Sequence, residues 1–155
     1  MQFHLTHGSA IQLTKNRTIA TRSVDTFCNG IVFSDQPIKL GQKICVELAS
    51  VAIWSSAVRI GVTAVDPAGV DSDQLPKFSY PALTQTEGYW VRVVNENLIT
   101  ERCRLTLCLT FHGQLQLLIN GIHKGALLLG LATHQNLWLL LDLYGSTNSA
   151  KFVQP

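Results

Sequence analysis

The residues of this sequence with chemistry to offer are two histidines spaced His4-x-x-His7, four cysteines, three tryptophans and one aspartate set among leucines. A histidine pair can hold a metal, but on a strand an odd separation sends the two rings to opposite faces, and no third ligand at a suitable spacing follows. Cys28, Cys45, Cys103 and Cys108 form no Cys-x-x-Cys pair, and Cys103 and Cys108 fall an odd number apart in one expected strand. Reduced, buried thiols are expected, which favours an intracellular compartment. No Gly-x-Ser-x-Gly nucleophile turn and no phosphate-cradling glycine loop occurs, so neither a catalytic residue nor a cofactor is expected.

The aspartate is Asp142, in Leu139-Leu140-Leu141-Asp142-Leu143-Tyr144-Gly145. An ionised carboxylate in such a run must meet a donor or sit at the end of a sheet. Arg59, between Val58 and Ile60, is the candidate partner; the alternative is that each faces water on its own strand. Trp54, Trp90 and Trp138 are suited to filling a core, with Trp54 the exception. It precedes Ser55-Ser56 at a strand entrance, where an exposed indole can anchor a peptide.

The elements that must position these residues read as strands. Leu105, Leu107, Leu109 and Phe111 alternate with Arg104, Thr106, Cys108 and Thr110, the pattern of a half-buried strand. His112-Gly113 and Asn120-Gly121 then bracket Leu115, Leu117 and Ile119, giving two turns about eight residues apart and an antiparallel meander. Ile44, Val46 and Leu48 alternate in one earlier run, and Val58, Ile60 and Val62 in another. Residues 27 to 48 read as two such runs that pair, joined by a turn at Ser34-Asp35-Gln36-Pro37 ending at Gly41. Leu127 to Leu131 and Leu137 to Leu143 lack alternation, which suits strands buried on both faces. No helical stripe is present beyond a turn near Asp73 to Leu75, so ten to thirteen short strands in two packed antiparallel sheets are expected, an all-β sandwich.

Composition agrees. The chain has 155 residues, 46% apolar and only 14% charged, enough to bury a large core, and one domain is expected over 1–155. Twelve Lys and Arg against ten Asp and Glu give a net charge of +2 without a basic run, which argues against nucleic acid. No apolar span reaches the ~20 residues of a bilayer helix.

The order of several motifs resembles the neuralized homology repeat (NHR) family. Phe3-His4-Leu5-Thr6-His7-Gly8 matches its opening pattern, Ala20-Thr21-Arg22 an Ala-x-Arg step, and Phe27-Cys28-Asn29-Gly30-Ile31-Val32-Phe33-Ser34 its signature. Trp54-Ser55, Val58-Arg59-Ile60-Gly61-Val62-Thr63, Asp66-Pro67, Leu75-Pro76, Gly88-Tyr89-Trp90, Leu137-Trp138 and Asp142 to Thr147 follow in family order. The resemblance implies a SPRY-like β-sandwich without catalytic activity that binds proteins through loops at one edge and an adjoining sheet face. It implies a place in a ubiquitin ligase or adaptor whose chemistry belongs to a separate RING domain. The partners it implies are a peptide segment of a Notch ligand such as Delta, or of a Bearded-type inhibitor, with Notch-ligand ubiquitination and endocytosis as the setting.

Three departures stand out: Gln36-Pro37 where the family has Arg-Pro, Trp54-Ser55-Ser56 for Trp-x-Gly, and Pro81-Ala82-Leu83 for Pro-Asp-Leu. They mark a divergent or second repeat. The expected partner-binding set is Arg22, Asp35, Gln36, Trp54, Ser55, Arg59 and Tyr144, in a cytoplasmic protein with access to the plasma membrane. The alternatives are a phosphoinositide or glycan module using Lys15, Arg17 and Lys39, and a structural repeat packing on a sister domain.

Overall fold

The computed structural model describes residues 1–50 and 56–155, with side chains described outside 51–57. Twelve strands among these residues form two antiparallel sheets. They are β1 (Phe3–His7), β2 (Ile11–Thr14), β3 (Ile19–Arg22), β4 (Ile31–Pro37), β5 (Lys43–Ser50) and β6 (Ser56–Thr63), then β7 (Tyr89–Val93), β8 (Arg104–Leu109), β9 (Leu115–Ile119), β10 (Ile122–Leu128), β11 (Trp138–Gly145) and β12 (Thr147–Val153). The five-stranded sheet runs β1-β4-β11-β6-β7 and the seven-stranded sheet β10-β9-β8-β5-β12-β3-β2.

The sheets face each other across one apolar core. Val58, Ile60 and Val62 of β6 and Leu139, Leu141 and Leu143 of β11 meet Val46, Leu48, Leu105 and Leu107 of the facing sheet. Alternation therefore predicts the inward residues of β5, β6, β8 and β9. The meander β8-β9-β10 is also as expected, with Asn120 and Gly121 at φ 50° and 80°, the two left-handed positions of a tight hairpin. The helical turn near Asp73 is a short 3-10 turn, Ser72–Gln74, with the Asp73 amide donating to the capping Asp71 carboxylate.

Strand β11 is buried along nearly its whole length because both of its faces are covered. Its odd residues enter the central core, while Leu140 joins Ile31, Phe33, Leu83 and Val91 in a second cluster on the outer face. The excursion between β6 and β7, residues 64–88, provides that cover: Leu75 and Leu83 pack down onto the sheet.

Four expectations are corrected. Strands β4 and β5 do not pair; β4 lies in the five-stranded sheet and β5 in the other, and the 38–42 link carries the chain between layers. Ser34 to Pro37 are not the turn but the second half of β4. The strand tolerates these turn-forming residues because its register against β11 shifts there, with Trp138 opposite Pro37 but Leu140 opposite Phe33. The Ser34 hydroxyl fills the irregularity, accepting from the Leu139 amide at 3.0 Å and donating to the Gln36 carbonyl at 2.8 Å. Phe111 falls beyond the end of β8 and is exposed, since the turn at Gly113 takes the chain out of the sheet. Leu127 to Leu131 is not doubly buried either: β10 is a sheet edge, and Leu129 lies outside it facing solvent.

Candidate functional site

Asp142 lies on the outer face of β11, because its neighbours Leu141 and Leu143 point into the core. It is completely buried. One carboxylate oxygen, Oδ2, accepts from the Ser79 amide at 2.8 Å and the Ser79 hydroxyl at 2.7 Å. The partner in hydrogen bonding is thus Ser79, reached through the 64–88 excursion. Arg59 stands directly opposite Asp142 on β6 and faces the same way, acting on it through charge.

Burial holds the Asp142 carboxyl above the usual carboxylate range; the Ser79 hydrogen bonds and the Arg59 and Arg22 charges pull the other way without cancelling it. The folded state therefore takes up this proton more readily than the unfolded chain. The stabilisation that follows is present below the unfolded value and is lost as pH rises through the folded one. Asp142→Asn removes the titration. Comparing urea midpoints of the two proteins should show the difference moving in favour of the Asn variant as pH climbs from about 4 to about 7. Parallel curves would contradict the assignment.

Arg59 is half-buried, and its guanidinium carbon sits 3.8 Å from the centre of the Tyr144 ring. A cation held this way over an aromatic face is fixed in direction at little further entropic cost. Its Nε and Nη1 groups are buried and have no hydrogen-bond partner among the described residues. Tyr144 is met in turn by Phe78, edge-on with ring centroids 5.6 Å apart. Around this stack are exposed apolar groups. Val93 stands opposite Arg59 on β7. Phe78 lies on the excursion, and Phe27 is on the loop whose carbonyl receives the Gly145 amide. An oriented arginine on a tyrosine, ringed by apolar side chains at the end of a rigid sheet, is a composition typical of protein-docking hot spots.

Arg22 belongs beneath this surface. It is 1% exposed, and its guanidinium donates to the carbonyls of Ser23, Gly145 and Thr147. It ties the end of β3 to the β11–β12 connection, where the chain passes from the five-stranded sheet to the seven-stranded one. Burial pulls its pKa down, yet a guanidinium stays charged.

Asp35 and Gln36 are at the other end of the sheet. They lie near Trp138, six residues from Tyr144 along β11, or about 20 Å. Asp35 exchanges hydrogen bonds with Gln2, and Gln36 is exposed. Trp54 and Ser55 lie outside the described residues. Of the seven residues expected to converge, the structure brings together Arg59 and Tyr144, with Arg22 below them. Phe78, Ser79 and Val93 were missed. The only sequence signal for Phe78 and Ser79 is their confinement between Leu75-Pro76 and Tyr80-Pro81.

Other features offer less. Burial pushes the Cys103 thiol up, making it a poor nucleophile, and all four cysteines are free. A cleft of about 570 Å³ lies elsewhere, along Lys43 and residues 151–155, and holds none of the expected site residues.

The Neuralized family model matches residues 3–154. The chain is 32% identical to "Protein neuralized" of Drosophila melanogaster over 99% of its length and 20% of that protein. To the human "E3 ubiquitin-protein ligase NEURL1B" it is 32% identical over 95% of its length and 26% of that protein. It spans only about a fifth to a quarter of these relatives. Among solved structures, the neuralized-NHR1 domain of Drosophila melanogaster superposes with a TM-score of 0.93 at 31% identity, covering 99% of this chain and 98% of that one. The SPRY domain of human HERC1 superposes at 0.70 with 12% identity over 98% and 97% of the two chains, a likeness of fold alone.

Proposed function

The chain belongs to the Neuralized family, and we propose that it is the partner-recognition domain of an E3 ubiquitin ligase or adaptor, docking a short peptide segment where Arg59 lies on Tyr144. The domains it matches are binding modules, and the whole relatives are named as ligases. The observation that carries the reading is the Arg59–Tyr144 stack, with Val93, Phe78 and Phe27 exposed about it. The partner class follows the family resemblance: the intracellular segment of a Delta-type Notch ligand, or a Bearded-type inhibitor competing for it. A cytoplasmic setting close to the plasma membrane fits such a target.

The phosphoinositide alternative draws on Lys15, Arg17 and Lys39, but Arg17 is occupied by the Phe3 carbonyl and the Gln2 side chain. That leaves two lysines, fewer than a headgroup site needs.

Fluorescence anisotropy with a peptide from the intracellular segment of a Delta-type ligand tests the assignment. Arg59→Ala should weaken binding roughly tenfold to a hundredfold, as loss of a hot-spot arginine does. Gln36→Ala, at the far end of the sheet, should leave it unchanged. The reverse pattern would move the site to the Asp35–Gln36 end.

A further inference from the structure

Residues 77–79 are consecutive and grip two walls of the proposed docking surface, the 27–30 loop and the outer face of β11. The Lys77 carbonyl accepts from the Asn29 amide at 2.9 Å, on the loop that carries Phe27. Phe78 lies edge-on to Tyr144. Ser79 gives both its amide and its hydroxyl to Asp142. Asp142 and Tyr144 are two apart on β11 and share a face, so anchoring Ser79 on the first sets Phe78 against the second.

We infer that Ser79 is a positioning residue for partner recognition: its two hydrogen bonds to Asp142 latch the 64–88 excursion so that Phe78 holds the Tyr144 ring as a platform for Arg59. The inference rests on the docking reading of Arg59 and Tyr144. Ser79 is completely buried and cannot itself touch a partner. Two hydrogen bonds onto one oxygen of a carboxyl that no water reaches make this latch a strong single hold on the excursion. With it open, Phe78 withdraws, Tyr144 regains rotamers, and Arg59 loses its fixed direction. Linkage then requires that a partner bound on the platform tighten the latch in return.

The test uses the isotope-labelled 155-residue chain and the Delta-type peptide. Ser79→Ala should weaken the peptide roughly fivefold to tenfold, the effect of one lost hydrogen bond. In the free chain it should also shift and broaden the Arg59 Nε–H resonance, a signal that general loss of stability would not move selectively. In the wild type, the peptide should slow exchange of the Ser79 and Asn29 amides, which both close the latch.

If Ser79→Ala binds like wild type while Arg59→Ala does not, the latch is overturned and the docking surface stands. If wild type does not bind the peptide, the docking reading fails. The latch is then decided on the free chain, where an Arg59 resonance unmoved by Ser79→Ala overturns it and a moved one upholds it. If Ser79→Ala does not fold, wild-type exchange decides: slowing by the peptide supports the latch, and no change overturns it.

Discussion

Arg22→Ala should remove about 3–5 kcal/mol of folding stability, a large part of the ~5–15 kcal/mol a domain possesses. Three backbone carbonyls, of Ser23, Gly145 and Thr147, lose their donor at once, the last two in a place water does not reach. Asp142 also loses one of its two neighbouring cations. Arg22→Lys should recover less than half, because an ammonium keeps the charge but cannot present the planar fork that spans separate acceptors. Urea unfolding monitored by tryptophan fluorescence gives both numbers. A loss under about 1 kcal/mol for the alanine variant would mean that the β11–β12 connection is held by something else.

Gly30→Ala is the second large effect, and its origin is backbone contact rather than conformational freedom. A Cβ at residue 30 would collide with the Leu143 carbonyl oxygen and come within 3.0 Å of the Arg22 side chain. The same carbonyl belongs to a residue whose amide donates to Gly30 at 3.0 Å, so neither strand can retreat without breaking the link between β4 and β11. A cost of about 3 kcal/mol or more is expected, at the upper end for overpacking. Because the methyl also presses on Arg22, Gly30→Ala and Arg22→Ala should not add: the double variant should lose less than the sum of the two, by at least 0.5 kcal/mol. Denaturation of the three proteins under one condition closes that cycle.

Much of the sandwich could be read from side-chain patterns. Alternation assigns the inward residues of β5, β6, β8 and β9, and Asn120-Gly121 places one hairpin. Pattern fails where a residue's environment is made by distant chain. Ser34 to Pro37 look like a turn because serine, aspartate and proline favour turns, yet a serine hydroxyl inserted in the ladder keeps them in a strand. Pairing of β4 with β5 was inferred from nearness in sequence, and sequence carries no mark of the layer to which a strand belongs.

The site divides in the same way. Arg59 and Asp142 were marked by their own anomaly, charges among aliphatic residues. Ser79 carries no such mark; its importance comes from an aspartate 63 positions away. Arg22 stands in the expected partner-binding set as a donor, and only the two-sheet closure shows it enclosed.

The order of strands also bears on how the protein is made. Strand β11 separates β4 from β6, and β12 separates β5 from β3, so the last two strands synthesised are interior to their sheets. At ~5–20 residues per second, β4 leaves the ribosome about 5 to 20 s before β11 can receive it. For that interval Ile31, Val32 and Phe33, all buried in the finished domain, are on offer to any other strand. The hairpin β8-β9-β10 can form early, but neither layer can close around it until residues 138–153 have emerged. The vulnerable period in the life of this domain is therefore its translation, when exposure of β4 and β6 is set by elongation speed and chaperone capture rather than by the stability of the completed fold.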